Sequence, residues 1–527
     1  MASRLMSLFS GDNGTTAAAV LAAAGGLGLL AWRAHRRQPT AAAEQPAVPR
    51  LAPVDGLRAI STLSLVALHT AMIATSFLKP GTADWTRVTQ HPLFGIFLGG
   101  SLQTDVFLLL GGLLAGLRLR SQARRGGAID DTLASNVARR ALRLLPVTLI
   151  QLVLGFVVLG EPQGRPLWVA TIVVTVLSFV NNYGSTAIHT SLACTPGWSV
   201  CVDFQCGLAL SAAWRALRSR LPSPDAAARM LLGAAFAASL AIRAGVFFGN
   251  PEAMSVIRMP MHFGQVQSGA SAAWFETHFA PFKWLIQFGP GFGTAGVPAS
   301  EATAAAWSYL GALYFPTHAR FGPYVLGALI AWCLPAPGAA PPAGRAGSDS
   351  APRGVLRRVL RSVPLVFFTL QALATLGASM MPPPLDVEAL PPFVHALATI
   401  AGPSLGAAAA GFLLYTALVP ETSRWHNPWL RSFLSWRPFR WLADKSFAVN
   451  MLHFRLILDI ILTAGTLSGK QISPEEVTWA QIVALYVGGL AASLAAASAA
   501  GAVEPALRAA IERALFGPGG SSSKKQR

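Results

Sequence analysis

The sequence predicts an all-α, polytopic helical membrane protein, and three observations carry that prediction. The 527 residues are 53% hydrophobic and only 12% charged, about half the roughly 25% charge expected of a soluble domain, and the mean hydropathy is +0.48. Apolar stretches of about 20 residues recur along the chain, the length that crosses roughly 30 Å of hydrocarbon at about 1.5 Å per residue. The short alternating strands of an outer-membrane barrel are not seen in the sequence. The formal charge of +18 comes from 41 Lys and Arg against 23 Asp and Glu. These basic residues fall in short clusters between apolar runs, which fits membrane sidedness better than a nucleic-acid-binding face, so no nucleic-acid partner is expected. Cys194, Cys201, Cys206 and Cys333 lack zinc-ligand spacing and are too few for a disulfide framework. No metal site is predicted, and a Cys194–Cys201 bridge stays open.

Residues 1–50 read as an N-terminal anchor or targeting segment followed by a linker. An apolar run from Thr15 to Trp32 is closed by Arg33, His35, Arg36 and Arg37 and followed by a Pro/Ala-rich stretch. The main multi-pass domain spans 51–503, with apolar runs at about 58–78, 94–117, 144–160, 168–184, 198–214, 229–248, 321–334, 364–381, 394–418, 441–464 and 479–501. Basic clusters at Arg118 to Arg143, Arg215 to Arg229, Arg345 to Arg361 and Arg424 to Arg440 are expected to face the cytoplasm, as is the tail 504–527 with Lys524, Lys525 and Arg527. Two basic loops flank three apolar runs between Arg143 and Arg215, so one of those runs should not cross. The interruption by Pro196, Gly197, Asp203 and Gln205 marks the segment from Asn181 to Trp214 as the non-crosser. About ten core crossings remain, plus the N-terminal anchor helix if it is retained. The Gly/Pro/aromatic segment 249–320 is placed on the non-cytoplasmic side and the Pro-rich segment 335–363 as a cytoplasmic linker. The expected location is an endomembrane or the plasma membrane.

Ionisable residues at membrane depth are the informative ones, because each costs several kcal/mol there. Asp55 is placed to cap the first main span and Arg58 to sit at its cytoplasmic end. His69 follows about 16 Å deeper, near the midplane, where a neutral imidazole suits a general base. Asp105 on the next span and His453 on a late one are expected at a similar depth, with Asp203 and Gln205 adding polar groups from the interrupted segment. Such an arrangement predicts one shared polar cavity. Arg139, Arg140 and Arg143 at a cytoplasmic span entrance serve topology, and their guanidinium groups also suit phosphate recognition. The Gly322-Pro323 pair is read as a helix start, and tryptophans at 85, 168, 198, 425, 436, 441 and 479 as interface anchors.

Asp55-Gly56-Leu57-Arg58-Ala59 with His69, then Thr104-Asp105-Val106-Phe107 through Gly111-Gly112, then Arg139-Arg140-Ala141-Leu142-Arg143-Leu144-Leu145-Pro146, resembles in order and spacing the acyltransferase 3 family. Cys194-Thr195-Pro196-Gly197-Trp198 leading to Asp203, the run from Arg320 to Gly327, and Lys445-Ser446-Phe447 through Asn450 to His453 are similar to its nose-resistant-to-fluoxetine-like branch. The Cys-rich domain that precedes the membrane region in many animal members of that branch has no counterpart in these residues. The resemblance covers about residues 51–500. It implies an integral-membrane O-acyltransferase that moves an acyl group, usually acetyl, from cytoplasmic acyl-CoA to a hydroxyl-bearing carbohydrate, lipid or other acceptor. By that resemblance His69 is the catalytic residue, Arg58 its same-helix partner, and Arg140 with Arg143 the basic positions near the donor, with Asp105 or Asp203 expected to orient His69. Membrane lipid and acyl-CoA are the implied partners. The alternative is a lipid or small-molecule transporter lined by the same polar groups.

Overall fold

The computed structural model describes residues 50–76, 88, 97, 103–124, 133–154, 173–183, 197–217, 224–249, 313, 316–335, 392–423, 425–468 and 478–516. Among them are ten α-helices, one 3-10 turn at Asn181–Tyr183, and no strand. The helices are α1 (Ala52–Ser76), α2 (Gln103–Arg124), α3 (Leu133–Val153), α4 (Trp198–Leu217), α5 (Pro224–Phe248), α6 (Thr317–Cys333), α7 (Pro392–Leu418), α8 (Pro428–Leu434), α9 (Arg437–Ser468) and α10 (Trp479–Phe516). Four described stretches are long and apolar enough to cross a membrane: Gln103–Ala123, Ala228–Phe248, Thr399–Leu418 and Trp479–Arg513. The expectations for 1–50, 249–320 and 335–363 fall outside the described residues, apart from Arg50, Gly249, Leu313, Pro316 to Arg320 and Pro335.

Two helix groups meet along α1 and α2. In the first, α2 packs on α6, and α6 on α5 and α7; in the second, α1 packs on α9, and α9 on α10. The α2–α6 contact is close because small residues let the backbones approach, the usual solution where lipid supplies no hydrophobic drive between helices. A methyl group at Gly112 would overlap the Tyr324 carbonyl, and one at Gly327 would overlap the Leu109 carbonyl. The second seam is larger-toothed: Val66 and Ile73 of α1 pack with Val449, Leu452, Phe454 and Ile457 of α9 and with Ala497 of α10.

Gly322-Pro323 does not start α6, because the helix begins at Thr317 and Pro323 lies inside it. Proline lacks the N–H that would bond the carbonyl four residues back, so Pro323 orphans Ala319 and Pro403, inside α7, orphans Thr399. A single buried side chain from α5 meets both. Arg243 donates from Nη1 to the Ala319 carbonyl at 2.6 Å and from Nη2 to the Thr399 carbonyl at 2.5 Å. It further donates to Leu313 and Ile400 carbonyls at 3.0 and 3.1 Å. At the other end of α6, Arg120 of α2 donates from Nη1 to the Ala331 carbonyl at 2.8 Å and the Leu334 carbonyl at 2.5 Å, a cation on the helix C-terminus.

Further expectations are corrected by the packing. Trp198 is 6% exposed and lies under the Arg320 guanidinium, with Cζ 5.5 Å from its ring centroid, so it is a core residue and not an interface anchor. Cys201 is a free thiol buried beside Asn181, which removes the Cys194–Cys201 bridge. Past residue 503, α10 continues through Pro505 to Phe516, and Ile511 packs against the cluster of Ala141 and Leu144 on α3. The segment read as interrupted is helical at Asp203 and Gln205, which lie inside α4, and the irregular backbone falls earlier in the chain. Phe179 adopts a left-handed φ of 56°, and its ring stacks on Phe204 at 4.2 Å.

Candidate functional site

His69 and His453 meet across the α1–α9 seam. The two helices start side by side: Arg50, just before α1, donates from Nε to Asp55 at 2.5 Å and from Nη2 to Asp444 of α9 at 2.8 Å. The hydrogen bond that Arg50 donates to Asp55, reinforced by the one to Asp444, holds the Arg50 guanidinium above its ordinary range despite some desolvation. Counted from the first residues of their helices, Ala52 and Arg437, His69 and His453 come 17 and 16 residues along, and at about 1.5 Å per residue both reach a similar level. Their rings stack with centroids 4.8 Å apart, and His69 Nδ1 lies 2.6 Å from His453 Nε2. Phe454 closes one side of His69 edge-on at 5.1 Å.

The hydrogen bonds assign the tautomers. His453 Nδ1 is 2.9 Å from the Val449 carbonyl, which can only accept, so Nδ1 carries the proton. His453 is fully buried, and an uncompensated cation there would be costly; its Nε2 is therefore a lone pair that accepts from His69 Nδ1–H. In its neutral form His69 is left with a bare Nε2. That nitrogen makes no hydrogen bond among the described residues, and His69 is partly exposed where His453 is not. The relay runs from the Val449 carbonyl through His453 to a basic nitrogen on His69.

The aspartates expected to orient His69 are engaged elsewhere. Asp105 lies in the first turn of α2 and not midway along it. Its carboxylate oxygens are 3.0 and 3.1 Å from Arg320 Nη1, with both side chains 1% exposed. Asp203 faces Gly111 of α2 and is held by Arg140, whose Nη1 lies 3.1 Å from the Asp203 carbonyl and 3.3 Å from its carboxylate. The shared cavity expected to gather His69, Asp105 and Asp203 is thus replaced by separate pairings, each partner supplied by a different helix.

The basic residues divide as well. Arg140 is committed inward: its Nη2 donates to the Tyr324 hydroxyl at 2.9 Å, and its guanidinium fills the space a side chain at Gly207 would occupy. Arg139 and Arg143 are exposed, and Arg58 is partly buried. Arg58 lies within electrostatic reach of Arg143, Asp55 and Asp203, while those two carboxylates are already bound to Arg50 and Arg140. Neither Arg58 nor Arg143 is committed to an acceptor among the described residues, and the two like charges lie within electrostatic reach of one another. Such a pair is suited to an anion.

Arg243, Arg320 and Tyr324 were not singled out as site residues by sequence reasoning, although an arginine inside the apolar run 229–248 is itself a signal. His453 was expected at a level similar to that of His69, and the two rings meet. Among the described residues no group of three metal-ligating side chains occurs. Comparison with protein-family models, with curated proteins and with solved structures finds no match for the chain.

Proposed function

We propose that this chain is an integral-membrane O-acyltransferase of the acyltransferase 3 kind, with about ten crossings in residues 51–503. It takes an acyl group, typically acetyl, from cytoplasmic acyl-CoA and passes it to a hydroxyl of a carbohydrate, lipid or other small acceptor. The observation that carries the reading is the uncommitted Nε2 of His69, fixed as a base by His453. Arg58, in the second turn of α1, and Arg143, midway along α3, supply charge for the phosphates of the donor.

The chemistry follows from that tautomer. His69 Nε2 takes the acceptor hydroxyl proton as the oxygen attacks the thioester carbonyl. The resulting imidazolium still donates Nδ1–H to His453, which spreads the charge along the relay. Collapse of the tetrahedral species breaks the C–S bond, and His69 returns its proton to the leaving thiolate, giving an ester and free CoA. Arg140, Asp203 and Tyr324 brace α2, α3, α4 and α6 and touch no reacting atom in this scheme.

The test is incubation of purified protein with radiolabelled acetyl-CoA and an extract of candidate acceptors. Wild type should transfer label, and His69→Ala should lose transfer by about 10²- to 10⁴-fold, the usual worth of a positioned general base, while keeping its helicity. Full transfer by a folded His69→Ala protein would end the proposal. Flux of a solute across vesicles without dependence on acyl-CoA would favour the transporter reading.

A further inference from the structure

A strip of aromatic side chains runs unburied from α8 into the start of α9. In α8, Leu430 and Leu434 turn inward against Ala417, Leu413 and Ile60. The other side of the helix carries Trp429, 71% exposed, and Phe433, 43% exposed, stacked at 5.6 Å with an interplanar angle of 3°. Phe439 meets Phe433 and Trp436 edge-on, each at 5.4 Å, and Trp436 is 59% exposed. Trp441, 54% exposed, ends the strip, with Lys445 Nζ 5.5 Å above its ring. The rings hold one another in place but are not covered by the chain.

The same segment is strongly basic. Arg431, Arg437, Arg440 and Lys445 stand against Asp444 alone, and Asp444 is taken by Arg50. The carboxylate near Arg431 is Glu421 at 3.8 Å, with both side chains exposed, a contact worth little. Tryptophan with basic residues on a short surface helix is the composition that sits at the boundary between acyl chains and headgroups, where cations are drawn to anionic lipid. A second copy of the chain would bring the same positive charge to the face, whereas an anionic leaflet complements it.

We propose that the strip from Trp429 to Lys445 is a docking surface for anionic phospholipid headgroups, its tryptophans seated at the acyl–headgroup boundary and Arg431, Arg437 and Arg440 on the phosphates. The surface is tied to the candidate site mechanically. Gly56, two residues before Arg58, rests against the Leu434 carbonyl so closely that any side chain there would overlap it. A lipid that seats α8 therefore also seats the start of α1. The inference does not depend on catalysis.

The experiment uses the full-length protein in detergent, titrated with brominated-acyl phosphatidylglycerol or brominated-acyl phosphatidylcholine, with soluble glycerophosphate as the free-phosphate arm. Tryptophan quenching and the unfolding temperature are the readouts. Quenching and stabilisation should appear at lower mole fraction of the anionic lipid, and glycerophosphate should give neither. Each Arg→Gln change at 431, 437 and 440 should weaken the anionic preference roughly fivefold, and Trp429→Ala with Trp436→Ala should reduce quenching by both lipids. Raising salt to about 1 M should shrink the preference in the wild-type protein, a readout that needs no variant to fold. Equal response to the two lipids, a preference unmoved by salt and by all three substitutions, or a dimer that masks the strip in either lipid would overturn the proposal.

Discussion

The α1–α9 seam and the start of α2 both bury polar groups, but they bury them in opposite states. At the start of α2 the opposite charges of Asp105 and Arg320 are paired, and the carbonyls freed by Pro323 and Pro403 are met by Arg243. At the α1–α9 seam the groups are uncharged imidazoles in series, and the chain of donors ends on a nitrogen with no partner among the described residues. A closed network holds helices together, because each member left alone would carry the full desolvation cost. An open one is poised to exchange a proton. The contrast separates residues that build the protein from residues that could act, a distinction that burial alone does not make.

That contrast can be broken by substitution. The largest effect is expected from His69→Ala, with acyl transfer down about 10²- to 10⁴-fold against a stability loss of only about 1–3 kcal/mol for the buried His453 acceptor it leaves unpaired, measured side by side on one preparation. Asp105→Ala should do the reverse, costing about 3–5 kcal/mol of stability because Arg320 stays buried without its counter-charge. A matched Asp105→Leu, Arg320→Met pair should recover much of that loss, and thermal unfolding in detergent reads both. Arg243→Met should cost about 1–3 kcal/mol for each orphaned buried carbonyl that finds no other donor. Arg243→Lys should rescue it poorly, since a single ammonium cannot span two helices. His453→Ala removes one hydrogen bond to a charged ring, worth about 1.5–3 kcal/mol, so kcat should fall on the order of ten- to a hundred-fold. His453→Gln, which still offers an acceptor to His69 Nδ1, should fall less.

The helical class, and the placing of Asp55, Arg58 and His69 on one helix, were legible in the sequence because both follow from an apolar run of a helix's length. The partners of His69 were not, because α1 and α9 are separated by 384 residues at the histidine contact, and adjacency of helices is a tertiary property. Asp105 was expected deeper because its apolar run was measured from 94, whereas the described helix opens at Gln103. Asp203 was visible as an interruption but its capture by Arg140 was not, since it rests on glycines at 111 and 207 that make room for the pair. Pro323 was read by its local habit as a helix start. Its tolerance inside α6 comes from an arginine on another helix, which no local pattern encodes.

The most direct test of the histidine relay is the ¹⁵N spectrum of ring-labelled histidine in the full-length protein, with the His69 and His453 signals assigned by difference from His69→Ala and His453→Ala. The relay predicts both rings as Nδ1–H tautomers, with His69 losing that fixed tautomer when His453 is removed. A His69 ring protonated at Nε2, or one whose spectrum ignores the loss of His453, would contradict it.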